Sequence, residues 1–195
     1  MRRLWRLGLA VAVLSVVPST AAAQLELDGY LGAYIPLNTL VAVEGLNLSA
    51  QQKTALAVGA RATVWLAVLG IEATFMYAAS DLESDDSGAM VDTSAEIWAA
   101  SARLALKLGL PVVPITFYFN GGPALIGRGG EAYEDAEDKT DIGGVLGGAV
   151  LLGRGKIRLR GDVEAYLYSF TEPGISIDSQ FQTDIVVSAG LVLAL

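Results

Sequence analysis

KIRLRGDVEAYLYSF, residues 156–170, puts charge on every second position: Lys156, Arg158, Arg160, Asp162 and Glu164. Ile157, Leu159, Val163, Ala165 and Leu167 fill most of the places between. On a helix, steps of two residues advance by about 200°, which would scatter these charges around the circumference. A strand puts all of them on one face. The stretch is therefore a strand, and the open question is which face is buried, and in what.

The alternation recurs along the chain. In 25–37, Leu25, Leu27, Leu31, Ala33 and Ile35 oppose Glu26, Asp28, Tyr30 and Tyr34. In 54–68, Leu56, Val58, Val64 and Leu66 oppose Gly59, Arg61, Thr63 and Trp65. Segments 70–80, 94–108, 113–127 and 181–195 follow the same rule, and 141–153 is too rich in glycine for its faces to be assigned. With the opening stretch, this makes eight strands. The links alternate as regularly. Asn38–Lys53, Leu82–Thr93, Gly129–Thr140 and Thr171–Gln180 are long and mostly polar, whereas those near Leu69, at Gly109–Val112 and at Arg154–Gly155 are short. An up-and-down meander with long loops at one end and short turns at the other has this pattern.

Composition narrows the setting. The chain has no Cys and no His, which excludes disulfides, thiol or imidazole catalysis and the usual zinc sites. Its N-terminus carries Arg2, Arg3 and Arg6, an apolar core over Leu7–Val17 and a small-residue tail ending at Ala23. This is the pattern of a secretory signal peptide over residues 1–23, leaving 24–195 as the mature domain. Without the leader, 10 basic residues face 21 acidic ones, a net charge of −11, which disfavours nucleic acid as a partner.

For an exported chain whose strands are about nine to eleven residues long, the apolar face is expected to meet lipid and the charged face to point inward. A closed barrel is then required, because an open sheet edge in hydrocarbon leaves backbone groups unpaired at several kcal/mol each. A helix over Leu108–Gly127 is the competing reading of that uncharged run, but Pro111, Pro114, Pro123 and its glycines disfavour it. The expected lumen set is Glu26, Asp28, Arg61, Glu72, Arg103, Lys107, Arg158, Arg160, Asp162, Glu164 and Asp184, near neutral as a closed interior requires. Eight strands enclose only enough space for side chains, so the interior is expected to be a plug, with Glu72 paired to Arg103.

The sequence resembles the small eight-stranded outer membrane β-barrels of Gram-negative bacteria, the OmpX type and the OmpA transmembrane domain. The resemblance rests on the architecture, on strands such as LRGDVEAYLY and FNGGPAL, and on the ending SAGLVLAL. That ending is similar to the family's assembly signal, with Ser188, Gly190, Leu193 and Leu195 in its positions, although leucine stands where the family usually has aromatics. The outward aromatic girdle is thin, with Tyr77 and Trp98 its clearest members. The resemblance implies an outer membrane location, lipid and lipopolysaccharide as surroundings, the barrel assembly machinery as a folding partner, and a monomer. It also implies a non-enzymatic, envelope-structural or surface-interaction role, without cofactor or catalytic residues. Passage of small hydrophobic molecules, as in barrels resembling OmpW, is the alternative. A lipid A-modifying enzyme is a further one, opposed by the absence of His.

Two acidic segments remain. Asp81, Glu83, Asp85 and Asp92 stand at spacings similar to a calcium loop, but Asp86 occupies the position where the turn needs glycine, and no metal site is assigned. Glu131–Asp141 holds six acids and one Lys. Both read first as solvated, mutually repelling surface, with divalent-cation bridging to lipopolysaccharide phosphates as the functional alternative.

Overall fold

The computed structural model describes residues 23–38, 41–43, 48–86, 89–109, 113–133, 140–170 and 180–195. The leader assigned to residues 1–23, apart from Ala23, lies outside them, as do 110–112 of the link Gly109–Val112, 134–139 of the loop Gly129–Thr140 and most of the loop over Thr171–Gln180. The described residues form ten strands: β1 (Gln24–Pro36), β2 (Val41–Val43), β3 (Leu48–Gln52), β4 (Ala55–Leu66), β5 (Leu69–Asp86), β6 (Ala89–Gly109), β7 (Ile115–Gly129), β8 (Thr140–Leu152), β9 (Ile157–Phe170) and β10 (Gln180–Ala194). Eight of them, β1 and β4 to β10, pair antiparallel in chain order, and β10 closes on β1 from Glu26↔Ala194 to Pro36↔Asp184. The result is a closed up-and-down barrel with no free edge in its wall. The uncharged run that a helix would have occupied supplies the end of β6 and most of β7.

Alternation decides which way each side chain points. Along β1 the buried residues are Glu26, Asp28, Tyr30 and Tyr34, while Leu27 and Leu31 are exposed; β4 repeats the pattern with Arg61, Thr63 and Trp65 inside and Leu56, Val58 and Val64 outside. Across the barrel, Leu, Ile, Val and Phe side chains cover the outer surface, and Arg, Glu, Asp and Tyr side chains occupy the interior. The glycine-rich strand β8 resolves in the same way, with Val145, Ala149 and Leu151 inside and Ile142 and Leu146 outside.

Two of the expected long loops are ordered differently. β5 and β6 continue their ladder through Leu82↔Thr93 to Asp86↔Ala89, so Leu82–Thr93 is an extended hairpin rather than a loop. Asn38–Lys53 contains β2 and β3, and β3 adds to the long-loop end of β5 from Ser49↔Asp85 to Gln52↔Leu82. Ladder hydrogen bonds join backbone to backbone, so an acidic, serine-rich sequence with weak strand propensity still extends when a partner lies on both sides. The extended pairing also excludes the compact turn that a calcium loop requires over Asp81–Asp92. The short turns lie at the opposite end. Ala67 takes a φ of 58° between β4 and β5, and Gly153 and Gly155 take positive φ between β8 and β9.

Candidate functional site

The lumen is the chemically richest part of the molecule. Glu26, Asp28, Arg61, Glu72, Arg103, Arg160, Asp162, Glu164 and Asp184 are buried inside it, and Lys107 and Arg158 are half-buried near the short-turn end. Strand alternation supplies their direction, and strand register supplies their level. Asp28 faces Arg61 across β1 and β4, and Thr63, Glu72 and Arg103 follow one another across β4, β5 and β6.

Three arginines organise the centre. Arg61 places Nη1 2.7 Å from Asp28 Oδ2 and 3.4 Å from Asp162 Oδ2, while its Nη2 lies 3.1 Å from Glu164 Oε1 and donates to Ser188 Oγ at 3.0 Å. Arg103 reaches across the lumen to Glu164, with Nη1 2.6 Å from Oε1 and Nη2 3.2 Å from Oε2. It also donates to the Tyr166 hydroxyl at 2.8 Å and to Ser101 Oγ at 2.8 Å. Arg160 joins Glu72 Oε2 and Asp162 Oδ1, each at 2.8 Å. Every carboxylate of this set meets at least one guanidinium, the arrangement that makes a buried charge tolerable, because loss of one partner leaves the other stranded in low dielectric. Glu72 and Arg103 face each other on the ladder 3.7 Å apart, but the shorter contact of Glu72 is with Arg160 and that of Arg103 is with Glu164.

Above and below this centre the chemistry changes. Toward the short turns, Arg158 pairs with Glu26 at 2.7 Å, Tyr118 donates to Glu26 at 3.2 Å, and the Lys107 ammonium lies 4.6 Å from the Trp65 ring centroid. Toward the long loops, Met76, Ile97, Ile126, Val145 and Val186 pack with tyrosines in one apolar cluster. Asp184 sits at that level and accepts hydrogen bonds from Tyr34 at 2.7 Å and Tyr168 at 2.6 Å. Arg128 pairs with Asp141 beside it, its guanidinium 5.1 Å from the Tyr168 ring centroid.

Arg128 and the lumen tyrosines are the members that the charge pattern did not single out. The available signal was parity: Arg128 continues the inward series of Tyr118, Asn120 and Ala124 past the glycine and proline of FNGGPAL. Tyr30 shows what such a ring contributes, since the Arg61 guanidinium stacks 3.8 Å from its centroid.

The C-terminal residues divide between the two faces. Ser188 and Gly190 face the lumen, and Leu193 and Leu195 are exposed outside. Gly190 has a packing reason to be glycine: a Cβ there would fall 2.4 Å from Asp28 Oδ1 and 2.6 Å from the Gly29 carbonyl oxygen. Tyr77 and Trp98, the outward aromatics, are ladder partners on β5 and β6.

This arrangement holds charges in fixed pairs. Among the described residues, no group of three or more Asp and Glu side chains is disposed to hold a metal ion.

Solved structures match the architecture. Neisserial surface protein A superposes with a TM-score of 0.60 at 12% identity, covering 88% of this chain and 96% of that one. The N-terminal β-barrel domain of Pseudomonas aeruginosa OprF superposes with a TM-score of 0.50 at 10% identity, covering 87% of this chain and 97% of that one. The chain has the fold of the small eight-stranded outer membrane barrels. No protein-family model matches it, and no curated protein matches its sequence.

Proposed function

We propose that the mature chain is a non-enzymatic, integral outer membrane barrel of the OmpX and OmpA-domain type, whose lumen is filled by paired charges and whose acidic hairpins face the cell exterior. The observation that carries this reading is the inversion of burial: Leu104 is 74% exposed and Ile142 79%, while Glu72 and Glu164 are 0% exposed. In water such an outer surface would be an aggregation site; in hydrocarbon it is the favourable one. Export through a leader cleaved after Ala23, the short turns on the periplasmic side, a monomeric state and delivery by the barrel assembly machinery belong to the same reading. The role is envelope-structural or surface-interacting, carried by the hairpin of β5 and β6 and by the loop after β7. The acids of these segments act first as a solvated, mutually repelling surface. The ion-paired centre supports a plug over a conduit, because every guanidinium there is engaged across the lumen by a carboxylate.

The test is a mature chain refolded into detergent and then into planar bilayers. A mobility difference between boiled and unboiled samples, with no steady conductance, is expected. A soluble monomer in plain buffer would overturn the membrane assignment, and steady ion conductance would overturn the plug.

A further inference from the structure

Across the outer wall, one row of lipid-side residues is small on five successive strands: Ala62, Ala73, Ala102, Pro123 and Gly144. Ala62 pairs with Ala73, Ala73 with Ala102, and Pro123 with Gly144; the flanking pairs Ser101↔Ala124 and Leu104↔Gly121 place Ala102 opposite Pro123. Two residues along the strands toward the short turns, Val64, Ile71 and Leu104 form a ridge through the pairs Val64↔Ile71 and Ile71↔Leu104. Two residues toward the long loops, Phe75, Leu125 and Ile142 form the other wall, interrupted by Ala100 on β6, and all six ridge side chains are exposed. The row is therefore the floor of a trough. It contains a cavity of about 480 Å³ over β5 to β8, which adjoins another of about 620 Å³ that extends past Ala62 to β1 and β10.

We propose that this trough seats one acyl chain of an anionic phospholipid from the short-turn leaflet. The proposal rests on the membrane reading above. Five strands at about 4.8 Å spacing give a floor roughly 19 Å long, which matches a chain of about fourteen to sixteen carbons at ordinary C–C bond lengths. A second copy of the barrel does not fit. The trough runs along the hydrogen-bonding direction, so with strands tilted by roughly 35–45° it lies about 45–55° from the membrane normal. Two barrels related by a two-fold axis along that normal would bring their inclined ridges together crossed, so a ridge of one cannot lie along the trough of the other. The leaflet follows from charge: Arg154 and Lys156 are exposed at the short-turn rim, whereas Glu96 and Glu131 are exposed toward the long loops.

The test uses the refolded mature chain in palmitoyl-chain phosphatidylethanolamine and phosphatidylglycerol vesicles, with a trace of phosphatidylglycerol spin-labelled on its acyl chain. The wild type is expected to show a motionally restricted lipid component near one per barrel, and native mass spectrometry after detergent release to show one retained phospholipid. Ala73→Leu with Ala102→Leu fills the floor and is expected to weaken retention about tenfold, equivalent to 1.4 kcal/mol. Gly144→Leu blocks the far end, where a Cβ meets only the Gly122 carbonyl oxygen at 3.8 Å, so it serves as a second, lightly packed variant. Ala165→Leu, on the lipid side of β9 away from the trough, is expected to leave retention unchanged. Equal retention in filled variants that still insert and shift on the gel overturns this inference alone. A dimer lost on filling also overturns it. A wild type that fails to insert overturns the membrane reading and this inference with it.

Discussion

Glu164 is the residue on which the lumen network converges. It is fully buried, it receives Arg103 through two contacts at 2.6 and 3.2 Å, and it lies 3.1 Å from Arg61. Glu164→Gln keeps the volume and removes the charge. Arg61 then retains Asp28 and Asp162, but Arg103 is left with Glu72 at 3.7 Å as its remaining carboxylate partner. Stranding a buried guanidinium in this way costs about 3–5 kcal/mol. The matching double mutant Glu164→Gln with Arg103→Gln removes the stranded charge, so the two losses are expected to be non-additive, with a coupling of about 2–3 kcal/mol. The equivalent cycle for Glu72 and Arg103 should give a smaller coupling, below about 1 kcal/mol, because Glu72 keeps Arg160 at 2.8 Å. The assay is reversible urea unfolding in phospholipid vesicles, followed by tryptophan fluorescence and cross-checked by the gel shift. A Glu164→Gln loss below about 0.5 kcal/mol, or a larger coupling for Glu72 than for Glu164, would refute the network as drawn.

Three further outcomes are expected from the same assay. Gly190→Ala should cost about 1–3 kcal/mol because its methyl would collide with Asp28 Oδ1, while Gly29→Ala, with nothing within 4 Å of the added carbon, should be neutral. Leu104→Arg should destabilise the barrel in bilayers by about 2–4 kcal/mol despite the 74% exposure of the leucine, and a neutral result would place that face in water. Ala67→Gly should stabilise the β4–β5 turn by up to about 1 kcal/mol, since alanine at φ 58° carries a strain that glycine does not; unchanged or lower stability would contradict that strain.

Much of this architecture is legible in the chain because a two-residue period admits only two faces. In KIRLRGDVEAYLYSF the polar series leads inward, and from Arg160 onward it runs through Asp162 and Glu164 to Tyr166 and Tyr168 without a break. Three things were harder to read. Strand length at the long-loop end was hidden because Leu82–Thr93 is polar, and backbone pairing does not require apolar side chains. The faces of β8 were hidden because glycine marks neither one; Gly147 faces the lumen beside Glu164, where a Cβ would approach Asn120 Oδ1 to 2.5 Å. Partner choice was hidden because ladder register sets neighbours along the wall, whereas the contacts from Glu164 to Arg61 and Arg103 cross the interior, and their reach depends on long side chains that no spacing rule encodes.

The seam between β1 and β10 joins the first and last strands of the wall, while every other wall contact links wall strands that follow one another along the chain. All hairpins can therefore form locally, but the cylinder has no closed state until β10 is in place. A chain truncated within β10 would retain seven strands with two unpaired borders, which hydrocarbon does not accommodate. Closure thus makes β10 a condition for the whole wall: without it, the ladder edges of both β1 and β9 are left open.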